Sequence, residues 1–244
     1  MALIVIPARM GATRLPGKPL LAETGKPLVV HVLEAVRHCT RAARVVVATD
    51  DERVAAAVRA AWGEAILTSP DCRSGTDRVA EAARSVAGED VVVNVQGDEP
   101  EVDPAALDAL IAAVEADMTV SMATLAAPLL SDEELAAPSV VKVVVDLKGD
   151  ALYFSRAPIP FARDPLGPAR PRRHVGVYAY RRDFLQRFAA MEATPLETTE
   201  MLEQLRAVEN GIRIRVVPTD RAPPGIDTPE DYEAFVRRWR ERKS

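Results

Sequence analysis

The chemistry available to this 244-residue chain is concentrated in a few short stretches. The first is PARMGATRLPGKPL (7–20), which carries Arg9, Arg14 and Lys18 and no acid up to the lysine. Gly11 and Gly17 let backbone approach a ligand closely and turn amides toward it. Amide donors, two guanidiniums and an ammonium are what a polyphosphate needs. The stretch is not a Walker A loop, since five residues separate Gly11 from Gly17 and a proline follows Lys18. The alternative is a solvated basic turn. The second stretch is VNVQGDEP (93–100), where Asp98 follows an apolar run. A carboxylate there can hold Mg²⁺ on a phosphate, because magnesium takes one or two carboxylates plus substrate oxygens. The plainer reading makes Asp98 and Glu99 turn formers before Pro100.

Two further stretches sit at helix starts. In PPGIDTPEDY (223–232), Asp227 precedes Thr228 and Pro229. Asp, Thr and Pro before a helix are ordinary capping residues. A metal site built on Asp98 nevertheless calls for a second carboxylate, and Asp227 is the candidate. In SPDCRSGTDR (69–78), Ser74, Gly75 and Thr76 open a helical pattern, and free amides there can bind an anion or read a base edge. Ser74 and Asp77 also have the spacing of a capping box. Arg156 ends an apolar run, and His174 opens an alternating one beside a basic loop. A lone histidine is more often structural than catalytic.

The elements that must position these residues follow from hydrophobic period. Apolar runs predict strands at 3–7, 44–50, 65–69 and 90–95. Helical spacing fills 27–38, 51–62, 74–88 and 103–116, with Gly63 and Gly88 as stops. Strand–helix alternation with near-continuous apolar strands predicts an α/β fold: a Rossmann-like, mixed, mostly parallel sheet with helices on both faces. Ligands bind such sheets beyond the C-terminal strand ends, where the polar stretches above fall. The second half predicts strands at 139–146, 174–180 and 212–218 and an extended run at 149–160. Residues 161–173 read as a long exposed loop with four arginines and one aspartate. Helices are predicted at 196–211 and 228–242. With no repeat or low-complexity linker, residues 1–244 read as one domain with an elaborated region near 139–211.

Composition narrows the function. Hydrophobic residues make up 48%, enough for a full core. Thirty-one basic against 36 acidic residues give a net charge of −5, which argues against a general nucleic-acid binder. Cys39 and Cys72 form neither a disulfide scaffold nor a metal-ligand spacing. The opening apolar run is too short for a signal peptide or a membrane span, so a soluble protein of the reducing cytoplasm is expected.

Taken in order, PARMGATRLPGKPL, VATDD, SGTDR, VNVQGDEP, ALYFSRAPIP, HVGVYAY, PLETTEMLEQLR and GIDTPEDY closely resemble the 3-deoxy-manno-octulosonate (Kdo) cytidylyltransferase family over nearly the whole chain. The first motif alone would indicate only a sugar nucleotidyltransferase; QGDEP, LYFSRAPIP and PLETTEMLEQLR are more specific.

The resemblance implies a nucleotide-diphospho-sugar transferase type of fold and the reaction CTP + Kdo → CMP-Kdo + pyrophosphate, with Mg²⁺. It also implies a cytoplasmic homodimer serving lipopolysaccharide synthesis. By position, Arg9, Arg14 and Lys18 would hold the triphosphate, and Ser74, Gly75 and Thr76 would lie at the cytosine. Gln96 would lie between nucleotide and sugar acid, and Asp98 and Asp227 would hold the metal. Arg156, Arg163, His174, Tyr178, Glu203 and Gln204 would line the sugar-acid pocket, with Arg156 or Arg163 clasping the Kdo carboxylate. A related enzyme for another sugar acid, such as 8-amino Kdo, would share the phosphate and metal motifs. A non-catalytic nucleotide sensor would be expected to have lost one of them.

Overall fold

The computed structural model describes residues 1–11, 14–164 and 170–242. The chain divides into two compact units, Met1–Asp108 with Pro223–Ser244, and Ala109–Ala222.

The first unit follows the apolar runs closely. It comprises β1 (Ala2–Ala8), α1 (Leu28–Val36), β2 (Ala42–Thr49), α2 (Glu52–Ala60), β3 (Glu64–Leu67), α3 (Gly75–Ser85) and β4 (Val91–Asn94), with α4 (Pro104–Ala116) starting in it. β1 pairs in parallel with β2 and β4, and β2 with β3, in the order β3-β2-β1-β4. All seven residues of β1 are buried. That is why the strand reads as a continuous apolar run and not as an alternation. Helix starts are capped as their sequences indicate. Asp51 accepts from the Arg53 amide, and Ser74 accepts from the Asp77 amide at 3.1 Å.

The second unit contains β5 (Met122–Pro128), α5 (Asp132–Ala136), β6 (Lys142–Val145), β7 (Ala151–Ser155), β8 (Arg172–Arg181), α6 (Arg182–Ala190), α7 (Pro195–Glu200), α8 (Leu205–Glu209) and β9 (Ile214–Pro218). β5 pairs antiparallel with β8 and parallel with β9, while β6 pairs antiparallel with β7 and β8. The fold is therefore α/β, parallel in the first unit and mixed in the second. The elaborated region near 139–211 falls inside the second unit.

Several features depart from the sequence expectation. β5 is absent from it, because MATLAAP is rich in small residues and almost wholly buried, so neither β-branching nor alternation marks it. The single helix expected at 196–211 is two, α7 and α8, broken where Met201 takes φ 53° at the end of α7. The strand expected at 174–180 begins earlier, at Arg172, and the extended run of 149–160 is a strand only over Ala151–Ser155.

The last helix, α9 (Pro229–Glu241), returns to the first unit. Its Tyr232, Phe235 and Val236 bury with Ile226 against Leu15 and Leu28. This cluster ties the basic loop after β1 to the chain segment that carries Asp227. No helix among the described residues is long and apolar enough to cross a membrane.

Candidate active site

A cavity of about 270 Å³ opens in the first unit at the C-terminal ends of β1 and β4 and the start of α3. Pro7 and Ala8 end β1, Gln96, Gly97 and Asp98 follow β4, and Ser74 and Gly75 begin α3. Arg9, Arg14, Lys18 and Asp227 complete the charged part of the wall. A parallel sheet presents its ligand site at this edge.

Local sequence explains the close fit. Gly97 lies against β1 so tightly that a Cβ would meet the Pro7 carbonyl oxygen at 2.7 Å, and only glycine fits. Gly17 takes φ 70° at the head of a 3-10 turn, Lys18–Leu20, which aims the lysine inward. Leu15, only 7% exposed, anchors the loop between Arg14 and Lys18 in the cluster under α9.

The charges then meet. Lys18 Nζ donates to Asp98 Oδ2 at 2.6 Å, to the Ile226 carbonyl at 2.8 Å and to Asp227 Oδ1 at 3.4 Å. Arg14 Nη2 lies 3.5 Å from Asp227 Oδ2. The Ile226 amide donates to the Asp98 carbonyl at 3.0 Å, so the two acidic segments are also joined through backbone. Asp98 and Asp227 thus converge on one cationic nitrogen, although 129 positions separate them in sequence (227 − 98). The capping reading of PPGIDTPEDY holds. Thr228 and Asp231 form a capping box, and Asp231 Oδ2 accepts the Asp227 amide at 3.1 Å, so the cap fixes the backbone of the acidic residue.

The α3 end of the cavity is more constrained than its sequence indicates. Ser74 caps α3 and also lines the wall with Gly75. Thr76 is 2% exposed and is not part of the lining. Gln96 Nε2 donates to Asn94 Oδ1 at 3.0 Å, and Asn94 is buried. Arg78, which sequence reasoning passed over, lines the cavity while 3% exposed. It donates to Asp50 at 3.0 Å, to the Thr68 hydroxyl at 2.5 Å and to the Ser69 carbonyl at 3.4 Å. The signal was there: SGTDR puts this arginine on the inward face of α3, and VATDD supplies its partner at the end of β2. Cys72 also lines the wall, but burial and its hydrogen bond to Glu81 push the thiol up to about 11. It stays protonated at neutral pH and offers no nucleophile.

The second unit holds the other set. His174 and Tyr178 stand on β8 with ring centroids 5.5 Å apart. Burial pushes the His174 imidazole down to about 3, so it is neutral. Burial and the nearby Glu203 carboxylate push the Tyr178 phenol well above its ordinary value. Gln204 is 4% exposed, and its Nε2 has no hydrogen-bond partner among the described residues. A buried amide left open in this way is costly unless a ligand completes it. Arg156 is held by backbone: its guanidinium donates to the carbonyls of Glu200, Pro138 and Met201, and its amide donates to the Glu200 carboxylate. Arg163 lies in the exposed loop with its side chain unpaired among the described residues.

Comparison with known proteins matches residues 3–214 to the family described as cytidylyltransferase. The chain is 48% identical over 244 residues to the 3-deoxy-manno-octulosonate cytidylyltransferase of Geobacter metallireducens, covering 96% of each. It is 54% identical over 231 residues to the enzyme of that name from an Anaeromyxobacter species, covering 94% of this chain and 93% of the relative. The chain belongs to the 3-deoxy-manno-octulosonate cytidylyltransferase family. Among solved structures, CMP:2-keto-3-deoxy-manno-octonic acid synthetase complexed with CTP matches with a TM-score of 0.94 at 46% identity, covering 99% of both chains. The family's cytidylyltransferase chemistry calls for a site that holds a nucleoside triphosphate, and the cavity of the first unit has cations, amides and paired carboxylates for one.

Proposed function

We propose that this protein transfers CMP from CTP to the anomeric hydroxyl of Kdo, releasing pyrophosphate. The observation that carries the reading is the meeting of Lys18, Asp98 and Asp227 in the cavity at the strand ends. The relatives' shared name supplies the substrates.

In the reaction the anomeric oxygen bonds to the α-phosphorus of CTP, the bond from that phosphorus to the bridging oxygen breaks, and the hydroxyl proton leaves to solvent or product. The obstacle is charge: a triphosphate of about four negative charges meets a hydroxyl nucleophile on a sugar acid that carries a carboxylate of its own. Positioning and charge stabilisation must therefore do most of the work. Arg9 and Arg14, exposed at the rim, face the phosphates, and the α3 amides behind Ser74 and Gly75 receive the nucleotide. Arg78, held by Asp50, keeps the base-side wall rigid.

The donor set fits Mg²⁺. Asp98 and Asp227 already share one cation, and two carboxylates plus phosphate oxygens are what magnesium prefers. Asp98 and Asp227 would hold the ion, which when bound would offset phosphate charge and act as a Lewis acid. Lys18, touching both, would then turn toward phosphate oxygens. The same reading takes the chain as one catalytic domain of a cytoplasmic homodimer, with the region near 139–211 serving the sugar acid and the dimer contact.

The test is pyrophosphate release with CTP, UTP, ATP or GTP against Kdo, 8-amino Kdo and sialic acid. Release with CTP and Kdo is expected. Release only with 8-amino Kdo would move the assignment to the related enzyme, and none with any acceptor would end it.

A further inference from the structure

Thr124 lies on β5, fully buried, opposite an irregularity in β8. Thr124 is paired with Tyr178, yet the next residue, Leu125, is paired with Val175, so Gly176 and Val177 are extra residues in the ladder. A bulge of this kind re-aims side chains at a site. The Thr124 hydroxyl fills the gap. Its Oγ1 lies 2.8 Å from the Val177 carbonyl, 3.2 Å from the Val175 carbonyl and 3.0 Å from His174 Nε2.

Proton counting fixes the arrangement. A hydroxyl has one hydrogen and two lone pairs, and carbonyls only accept. If Nε2 carried no proton, three acceptors would compete for one hydrogen and two would go without it, against one when Nε2 is itself a donor. With a proton on Nε2, the imidazole donates to Oγ1 while the hydroxyl donates to the Val177 carbonyl. The ring packs against Phe154, edge-on at 5.1 Å, and Tyr178, at 5.5 Å, and the His174 amide is tied to the Val141 carbonyl at 2.8 Å. Nδ1 has no hydrogen-bond partner among the described residues.

We propose that Thr124 is a positioning residue that sets the tautomer of His174, with the proton on Nε2, so that Nδ1 accepts a hydrogen bond from a hydroxyl of the sugar-acid substrate. The nature of that donor rests on the proposed function; the tautomer does not. Because the imidazole is uncharged at neutral pH, it serves a hydroxyl and not a carboxylate.

The chain has three histidines, His31, His38 and His174, so long-range ¹H–¹⁵N spectra of protein labelled at histidine resolve each ring, with His174→Gln giving the assignment. In the unliganded wild type, His174 should show a protonated Nε2 and a bare Nδ1 at pH 7. Thr124→Val, which keeps the shape and removes the hydroxyl, should mix the tautomers. It should also raise KM for Kdo about tenfold, as one lost hydrogen bond does, with KM for CTP unchanged. Thr124→Ser should restore both. A bare Nε2 in the wild type would overturn the proposal, whatever the variants do. So would a Thr124→Val enzyme with the wild-type tautomer and an unmoved KM for Kdo. Inactivity of the wild type toward Kdo would instead strike the assigned reaction, and the wild-type spectrum would still decide the tautomer.

Discussion

The ammonium of Lys18 lies 2.6 Å from the Asp98 carboxylate, with only 15% of the lysine side chain exposed. Eighty positions apart in sequence, the two meet because a left-handed glycine and a buried leucine turn one loop inward while β4 delivers the other. Asp227 joins from a third segment. The arrangement makes each member separately testable.

Replacing Asp98 by asparagine keeps the shape and removes the charge. CMP-Kdo formation should fall by about a hundredfold or more, in line with the loss of a charge-stabilising group at a reacting phosphate. Far-UV circular dichroism should be unchanged. Full turnover in this variant would remove the carboxylate from the metal assignment.

Lys18→Ala should also lose about a hundredfold in turnover, and Lys18→Arg should not recover it. Three acceptors surround a point charge at this position, and a planar fork cannot reach all three. Steady-state rates for the three proteins at saturating CTP decide the matter; an active arginine variant would show that charge alone suffices.

Arg78→Met strands the Asp50 carboxylate, one of whose oxygens is already buried without a partner among the described residues. Breaking a buried pair from one side costs about 3–5 kcal/mol, and here the exposed part of Asp50 places the expectation at the lower end. Urea unfolding reads the loss directly. The double variant Arg78→Met with Asp50→Leu should recover much of the stability but not the CTP affinity.

His174 links stability to pH. Its folded value, about 3, is below the unfolded 6.5, so the unfolded chain binds the proton first. The contribution is intact above pH 6.5 and is lost progressively as pH falls toward 3. Between pH 6.5 and 5, before most carboxylates titrate, stability should fall by at most about 1.4 kcal/mol per pH unit from this residue, less where water reaches the ring. His174→Gln should flatten the slope in denaturant titrations at pH 7, 6 and 5. Parallel curves would show that the imidazole is not shielded.

The parallel strands of the first unit were legible because burial on both faces leaves an unbroken apolar run, as in LIVIP and VVVNV. So were the charged loops at their ends, because a mostly parallel sheet dictates where its ligands bind. What stayed hidden has a common cause. β5, MATLAAP, has three alanines and is buried on both faces, so it shows no period, and Thr124 was hidden with it. Arg78 and Asp50 sat in motifs that were noticed, but only the fold brings the buried arginine to the half-buried aspartate. The backbone contacts of Arg156 were hidden too, since they depend on the break at Met201, which leaves carbonyls at the end of α7 that take a donor.

Asp227 reaches Lys18 only after the chain has left the first unit, built the second and come back. On a ribosome the remaining residues take on the order of ten seconds to emerge after Asp98. Through that interval the nascent enzyme can own a sheet and a nucleotide-sized hollow yet lack one half of its acidic pair. On the proposed role of Asp227, catalytic competence waits until synthesis passes residue 227, and a chain truncated upstream of that point should show no turnover.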